Sequence, residues 1–402
     1  MSEKKDYNYN SPSKFNDEMK TIPPARWPTE LEKAQMGTMT AMVSSFGLPR
    51  IIISGFLLVL FILTPFVGVD LPTQITNIIN RFSWNAVLVL AMVPMIHAGC
   101  GLNFGLPLAI ICGLLGGTLS IQLGFTGPMS FLMAVLIATP FAVILGGGYG
   151  LLLNRIKGGE MMIATYVGFS VMSFFCMMWL LLPYSSPTMV YGLSGNGLRP
   201  TISLDGFYNQ VLAKILHIKI GNIEIPTGSL LVFALLAFLM WAFLHTKTGT
   251  AMTAVGSNPA FARAAGINVD RTRIISVVMS TVCAGFGMVI YLQNIGNLPT
   301  YTGHAQIGMF CIAALLVGGA SVEKAAIGNA FLGVILFHLM FIVAPGAGAF
   351  ITGDSMVGEY FRVFLSYGII TLALIMYEAK KRMARSKAGQ ELAEAQKKEE
   401  DA

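Results

Sequence analysis

Residues 128–153 read PMSFLMAVLIATPFAVILGGGYGLLL and contain no charged side chain. A helix of roughly 20 apolar residues crosses the hydrocarbon core of a bilayer, which is about 30 Å thick. This stretch exceeds that length, so it predicts a membrane-spanning helix. Its Gly146 and Gly150 have the small-residue spacing that lets helices pack closely in lipid, and Gly113 and Gly117 repeat that spacing.

The rest of the chain is also rich in apolar residues and poor in charged ones. Of its 402 residues, 54% are hydrophobic and 11% are charged, whereas soluble domains carry about 25% charged residues. Candidate spans lie at 51–67, 84–98, 104–124, 128–153, 161–183, 227–246, 274–292, 306–321, 325–344 and 360–378. This pattern predicts an all-α integral membrane protein with about ten transmembrane helices.

Glycines interrupt the pattern near its centre. Residues 99–103 separate two candidate spans, and the short span 306–321 carries Gly318 and Gly319 close to its end. Short or glycine-interrupted membrane segments often mark a central transport site. The sequence therefore predicts short or broken helices near the centre of a transport protein.

The loops between the spans differ in charge. Short loops on the cytoplasmic side of a membrane collect lysine and arginine. With a cytoplasmic N-terminus and an even number of spans, the loops placed inside carry Arg155, Lys157, Lys247, Arg263, Arg271, Arg273 and Lys324. The outward loops would then be 68–83, 184–226, 293–305 and 345–359.

This orientation predicts three parts of the chain: a cytoplasmic tail at 1–50, a transmembrane domain at 51–379, and a cytoplasmic tail of mixed charge at 380–402. Because the first long apolar run begins only at Ile51, we expect no signal peptide. The long loop 184–226 either docks a partner outside the membrane or merely connects two spans.

Several function classes are disfavoured by what the chain lacks. The interiors of the candidate spans contain no Asp, Glu, Lys or Arg, which disfavours proton-coupled transport and excludes a voltage sensor. The sequence has no P-loop, G-x-S-x-G or H-E-x-x-H motif, so neither ATP binding of the P-loop type nor an enzyme is expected of it. His97 and Cys100 form only a pair of possible ligands, so we expect no metal site.

The polar side chains within or beside the spans are uncharged. Uncharged donors and acceptors suit a neutral solute that is rich in hydroxyl groups or contains a heterocycle. The residues predicted to line the solute path are Asn85, His97, Asn103, Phe104, Asn294 and Gln306. For any one polar residue among them, a hydrogen bond between packed helices is the commoner role. Asn103 and Phe104, next to the helix break, are the preferred pair.

Residues 254–269 are too polar to span and are rich in helix formers. Asn258 is suited to cap a helix that has Pro259 at its first position and ends at Gly266. We therefore expect a short helix along the cytoplasmic face. It is either a compact knob that fits a groove in another protein or an ordinary basic loop helix.

This segment, AVGSNPAFARAAGINV, resembles the coupling-loop signature of the ribose-type permease subunits of ABC importers, also called branched-chain binding-protein-dependent transport permeases. The matching residues are Ala254, Gly256, Asn258, Ala262, Arg263, Gly266, Ile267, Asn268 and Val269. Phe261 stands where that family usually has a small residue. The stretch 316–321, LVGGAS, with Gly328 and Gly333 behind it, resembles a second block of the family, although Val322, Glu323 and Lys324 replace its usual connection.

A third stretch concerns whether the solute is a simple sugar or a nucleoside. Sugar-transporting members commonly carry Gly-Gly-Ile-Asp-Leu-Ser-x-Gly, where this chain has AGCGLNFG at 98–105 and lacks the acidic residue. Its Asn103-Phe104-Gly105 is closer to what purine-nucleoside members have. The resemblance leaves the choice between a simple sugar and a nucleoside open.

The resemblance implies a permease in the cell membrane of a prokaryote, with several partners. P-loop ATPase subunits would bind the ATP and contact Gly256, Asn258, Ala262, Arg263, Gly266 and Ile267, so this chain needs no cofactor of its own. The other implied partners are an extracytoplasmic solute-binding protein, a second permease copy or paralogue, and membrane lipid, but no nucleic acid.

A different class of function also fits the charge-free spans and the many glycines. A self-sufficient channel or facilitator for a neutral solute would have the same composition. An intramembrane enzyme would need a convergent nucleophile and base, or a metal set, and the sequence contains neither.

Overall fold

A computed structural model describes residue 55, residue 375 and residues 71–372, apart from 157, 191–196, 216, 222, 304–305, 355, 365 and 369. The chain forms two compact units, Pro49–Ile370 and a second unit of Met1–Leu48 with Thr371–Ala402. All the elements below belong to the first unit. The predicted tails 1–50 and 380–402 lie outside the described residues, as does the predicted span 51–67 except for Gly55.

The described chain is mainly helical. Its helices are α1 Leu71–Leu90, α2 Val93–His97, α3 Leu106–Gln122, α4 Gly127–Arg155, α5 Glu160–Leu181, α6 Val211–Ile215, α7 Thr227–Leu244, α8 Lys247–Ser257, α9 Pro259–Ala264, α10 Val269–Ile295, α11 Ile307–Val317 and α12 Ile327–Thr352. Its strands are β1 Thr201–Ser203, β2 His217–Ile220, β3 Ile223–Pro226 and β4 Asn297–Pro299. Residues 356–364 are also helical.

Six segments among the described residues are long and apolar enough to cross a membrane. They are Pro72–His97, Gly127–Arg155, Glu160–Leu181, Thr227–Leu244, Val269–Ile295 and Ile327–Gly346. Two shorter apolar helices, α3 and α11, accompany them. These findings confirm a multi-pass, all-α membrane protein with short helices in its bundle, whereas the count of about ten spans stays a prediction.

The start of the bundle differs from the prediction. Residues 68–83 were expected to form an outward loop, but 71–83 belong to α1, which continues the predicted span 84–98 towards the N-terminus. Polar residues lower the hydropathy of this stretch. Its apolar residues nevertheless recur at helical spacing, at Ile75, Ile78, Ile79 and Phe82. The predicted loop 345–359 was likewise wrong at 345–352, which are part of α12, and at 356–359, which are also helical.

The longer α1 changes one further conclusion. Arg81 lies inside the candidate span Pro72–His97, so the expectation of spans without interior charge was wrong at this position. Its side chain is half-buried. An arginine at such a depth calls for a specific environment in the bundle.

Helix α10 lies at the centre of the bundle and packs against α1, α2, α3, α4 and α8. Of its most apolar stretch, 56% is buried, against 17% for that of α5. Glycines allow the close contacts that were predicted from their spacing. A Cβ atom on Gly146 would lie 2.8 Å from Thr281 Oγ1, and one on Gly150 would lie 3.1 Å from Ile274 Cα.

The two ends of the bundle are distinct. At one end, Asn154 Nδ2 donates to the Asp270 carbonyl at 2.8 Å, which brings the end of α4 beside the start of α10. We call this the basic end, formed by residues 154–160, 245–273 and 318–326, because the predicted cytoplasmic loops meet there. At the opposite end, which we call the sheet end, β1 pairs with β4, and Gln122 Nε2 donates to Ser185 Oγ at 2.7 Å. Two predicted outward loops, 184–226 and 293–305, therefore lie together.

A buried ion pair lies near the basic end. Arg273 Nη2 is 2.7 Å from Glu160 Oε1, and the two side chains are 8% and 18% exposed. Arg273 Nε also donates to Cys100 Sγ at 3.3 Å. Among the described residues, Glu160 is the carboxylate that pairs with this guanidinium. The interaction joins α5, α10 and the residues between α2 and α3.

Replacing one partner of this pair should destabilise the bundle. Glu160→Gln leaves the Arg273 guanidinium buried without a counter-charge, and we expect a loss of about 3–5 kcal/mol in the free energy of unfolding. Lys219→Gln is the control. It breaks the Lys219–Glu224 pair, whose side chains are 61% and 50% exposed, and should cost less than about 1 kcal/mol. Thermal unfolding in detergent measures both, and equal midpoints would contradict this account.

The crossing of α11 and α12 depends on glycine. A Cβ atom on Gly333 would overlap the carbonyl oxygen of Ala314, whereas one on Gly328 in the same helix would meet nothing within 4 Å. We therefore expect Gly333→Ala to destabilise the protein by about 1–3 kcal/mol and Gly328→Ala to leave stability unchanged or raise it slightly. The same thermal assay tests this pair, and a harmless Gly333→Ala would show that the two helices can separate at little cost.

Candidate functional site

The predicted cytoplasmic segment forms two short helices, α8 and α9, at the basic end. Asn258 Oδ1 accepts hydrogen bonds from the backbone N–H groups of Ala260 and Phe261, both at 3.0 Å. Pro259 occupies the first position of the helix, where a backbone N–H would have no partner within the helix. The structure thus confirms the predicted cap and start of this helix.

The end of α9 also agrees with the prediction. Gly266 has φ = +80°, a left-handed conformation that favours glycine. The Ile267 N–H donates to the Ala262 carbonyl at 2.9 Å, which closes the turn. A side chain at position 266 would have no atom within 4 Å, so this position faces open space.

The two faces of α9 differ in burial. Ala262 is fully buried and packs with Val255 and Val269. On the other face, Phe261 is 67% exposed and Arg263 is exposed as well. Small residues thus hold the helix against the bundle while a large aromatic ring projects from it. A projecting apolar side chain of this kind suits a groove in another protein.

Helix α8 contacts the turn that follows α2. A Cβ atom on Gly256 would overlap the carbonyl oxygen of His97, and one on Gly99 would lie 3.0 Å from Gly256 Cα. Gly99 itself has φ = +70°. Because both glycines lack side chains, the two backbones touch directly, and a displacement of α8 would act on this turn without a flexible side chain between them.

His97 extends this contact to a third segment. Its Nδ1 lies 3.2 Å from Thr253 Oγ1 on α8, and its Nε2 lies 2.8 Å from the carbonyl oxygen of Ala325. His97 was predicted to line the solute path. The structure places it at the basic end, where it links α8 to the turn before α12, and its role in the path stays a prediction.

The helix break, residues 98–105 between α2 and α3, is held in place by Asn103. Its Nδ2 donates to Ser280 Oγ on α10 at 3.1 Å, and its Oδ1 accepts from Tyr149 OH on α4 at 3.2 Å. Asn103 is 1% exposed, and the adjacent Phe104 is half-buried against the same core. The amide of Asn103 therefore fastens the break to two helices.

The other predicted path residues lie elsewhere. Asn85 Nδ2 donates to the Arg81 carbonyl within α1 at 2.9 Å, and Asn294 Oδ1 accepts from Ser229 Oγ on α7 at 3.3 Å. Gln306 is exposed beside the start of α11. The six residues do not converge on one place. Their role in a solute path stays a prediction, since Asn103 and Asn294 bond to neighbouring helices, as packed membrane helices commonly do, and Asn85 bonds within its own helix.

The predicted coupling residues, in contrast, lie close together in the chain, on α8, on α9 and in the turn that follows α9. Asn258 and Gly266 bound α9, Ala262 and Ile267 pack it against Val255 and Val269, and Arg263 lies on its exposed face. Gly256 lies on α8, where it contacts the turn after α2. Sequence analysis missed the importance of Phe261, which it noted only as a departure from the family pattern. Tyr149 and Ser280 were missed because contacts between distant segments leave no local pattern.

Comparison with known proteins gives partial matches to a set of permease proteins, three of which are described here. The chain is 30% identical over 154 residues to a nucleoside ABC transporter permease protein, NupB, of Lactococcus lactis, with 38% of each chain covered. It is 36% identical over 91 residues to the autoinducer 2 import system permease protein LsrC of Klebsiella pneumoniae, which covers 23% of this chain and 26% of that protein. It is 28% identical over 169 residues to LsrC of Photorhabdus laumondii, covering 40% of this chain and 46% of the relative.

The chain thus matches less than half the length of each of these relatives. No solved structure matches it. A family model described as "branched-chain amino acid transport system / permease component" matches residues 74–375, which include nearly every described element. This confirms the resemblance drawn from residues 254–269, and the chain belongs to that family of permease components.

Proposed function

We propose that this protein is the transmembrane permease subunit of an ABC importer for a small neutral solute, such as a simple sugar or a nucleoside. In this proposal, separate ATPase subunits drive it through the loop 254–269. The observation that carries it is the geometry of α9, which is fixed at its buried face and displays Phe261 outward. Membership of the permease family and the similarity to the nucleoside permease NupB and the autoinducer 2 permease LsrC support the same function.

The contacts of α8 support a route from the ATPase subunits to the spans. Closure of the ATPase subunits over ATP would displace α9 and, with it, α8. Helix α8 touches the turn after α2 at Gly256 and reaches the turn before α12 through His97. Both turns adjoin short helices, so a small movement at the basic end would change the packing around the helix break and expose the path to alternate sides.

The neutrality of the solute rests on the surroundings of the helix break. Asn103, Tyr149 and Ser280 are uncharged and buried, and the nearby charges of Arg273 and Glu160 cancel each other. A free charge at this depth would be costly without a partner. Asn103 and Phe104 remain the residues that we would expect nearest to the solute if the break opens.

The surfaces of the bundle support further partners. Large apolar side chains are exposed on α4, α5 and α7, among them Leu136, Phe169 and Leu235. These faces would contact membrane lipid or a second permease copy or paralogue. The sheet end, with its paired loops, would receive an extracytoplasmic solute-binding protein. In this assembly both termini are cytoplasmic, ATP is bound by the partner subunits, and nucleic acid has no part.

The direct test is reconstitution in proteoliposomes with the ATPase subunits and the solute-binding protein. The proposal predicts that solute-loaded binding protein stimulates ATP hydrolysis and that uptake requires ATP. Solute flux at full rate without the ATPase subunits would instead establish a facilitator.

The same assay tests the role of α9. Phe261→Ala should reduce stimulated hydrolysis and uptake by about tenfold or more, because it removes an apolar anchor from an interface. Phe350→Ala is a matched control, since Phe350 on α12 is also 67% exposed. Both variants should fold normally because neither ring is buried. Equal activity in the two variants would remove the assignment of α9 as the coupling element.

A further inference from the structure

A cavity of about 280 Å³ lies between α1, α12 and the helical residues 356–364. None of its lining residues belongs to α8 or α9, and the start of α1 lies at the sheet end, where the Glu224 N–H donates to Thr76 Oγ1 at 3.3 Å. Its lining residues are Asn77, Asn80, Arg81, Trp84, Phe341, Ile342, Pro345, Glu359 and Arg362. Neither the helix break nor the coupling helices contribute to this cavity.

The polar side of the cavity comes from one face of α1. Positions 77, 80, 81 and 84 are three or four residues apart, so they lie on the same side of the helix. They provide two amides, a guanidinium and an indole. Each of these groups can donate a hydrogen bond.

Two guanidinium groups flank a single aromatic ring beside the cavity. Arg362 Cζ lies 4.0 Å and Arg81 Cζ lies 4.9 Å from the centroid of Phe341. Phe341 is 9% exposed, so the ring holds both cations at the edge of the protein interior. Contacts with a ring face stabilise a cation, but they leave the N–H donors at the guanidinium edges available.

Charge around the cavity is not balanced. Glu359 forms an ion pair with Arg362 across one turn of helix. Within the residues that the structure describes, Arg81 forms no ion pair, and Glu359 is the single carboxylate in the lining beside two guanidinium groups. The cavity therefore has one positive charge in excess, surrounded by hydrogen-bond donors and set inside a candidate membrane span.

We propose that this cavity binds one phosphate group, held between Arg81 and Arg362 and hydrogen-bonded by the amides of Asn77 and Asn80. Guanidinium groups suit phosphate because their paired N–H donors match its oxygen atoms. The phosphate belongs either to a free anion that enters from the sheet end or to a lipid headgroup beside α1 and α12. None of the six predicted path residues lines this cavity, so the inference does not depend on which solute is carried.

Binding is tested first on the purified full-length protein in a neutral detergent, with inorganic phosphate as the probe. Isothermal titration calorimetry should show saturable binding to the wild type. Arg81→Gln and Arg362→Gln should each weaken it by about tenfold or more, since each removes a charged donor. Lys219→Gln removes a positive charge that lies outside the cavity and should leave the affinity within about twofold of the wild type.

A second arm distinguishes the lipid source. The protein is placed in nanodiscs of phosphatidylcholine with or without phosphatidylglycerol, and retained lipid is counted by native mass spectrometry. Selective retention of phosphatidylglycerol, lost in Arg81→Gln and Arg362→Gln, would support the proposal with a lipid headgroup as the ligand. Phosphate binding without lipid retention would support it with a free anion.

The conservative variant Arg81→Lys distinguishes a loss of binding from a loss of folding. It keeps the charge and should retain measurable but weaker binding, even if Arg81→Gln proves unstable. The proposal is overturned if the wild type binds neither phosphate nor phosphatidylglycerol. It is also overturned if folded Arg362→Gln and Arg81→Lys proteins bind as tightly as the wild type.

Discussion

The bundle depends on how the unwound residues 98–105 are held inside it. A break in a membrane helix leaves backbone groups that water cannot satisfy, so protein must satisfy them. Here the Cys100 N–H donates to the Met95 carbonyl at 3.0 Å and the Leu106 N–H to the Asn103 carbonyl at 3.2 Å. Side chains then fasten the break to its neighbours, through Asn103 on one side and through Cys100 with Arg273 on the other. The central helix α10 supplies a partner for both.

This arrangement explains why glycine pairs and polar side chains occur together at the basic end. Direct backbone contact between Gly256 and the turn at Gly99 makes the junction between α8 and the break stiff. His97 extends the junction to the turn before α12. A displacement of α9 and α8 would therefore act on two turns at once, the one after α2 and the one before α12. In a permease, such a connection would let events outside the membrane control packing within it.

Local signals in the sequence predicted local structure well. The cap at Asn258, the proline after it and the glycine at 266 defined α9 because each acts on its own backbone. Long apolar runs located α4, α5, α7 and α10 for the same reason. The start of α1 was missed because polar residues within 71–83 mask its helical period, and Arg81 was misplaced with it. The positions of the predicted path residues could not be read from local signals, because the contacts that hold them, such as that of Asn103 with Ser280, join segments far apart in the chain.

Site-specific cross-linking in cells shows directly whether α9 contacts an ATPase subunit. A photoreactive amino acid replaces Phe261, and a second protein carries it in place of Phe350, which has the same exposure on α12. After irradiation, mass spectrometry identifies what is attached. The account predicts that a P-loop ATPase is captured from position 261 and not from position 350. Cross-links from position 261 to lipid or to this chain alone, with ATPase subunits present, would contradict it.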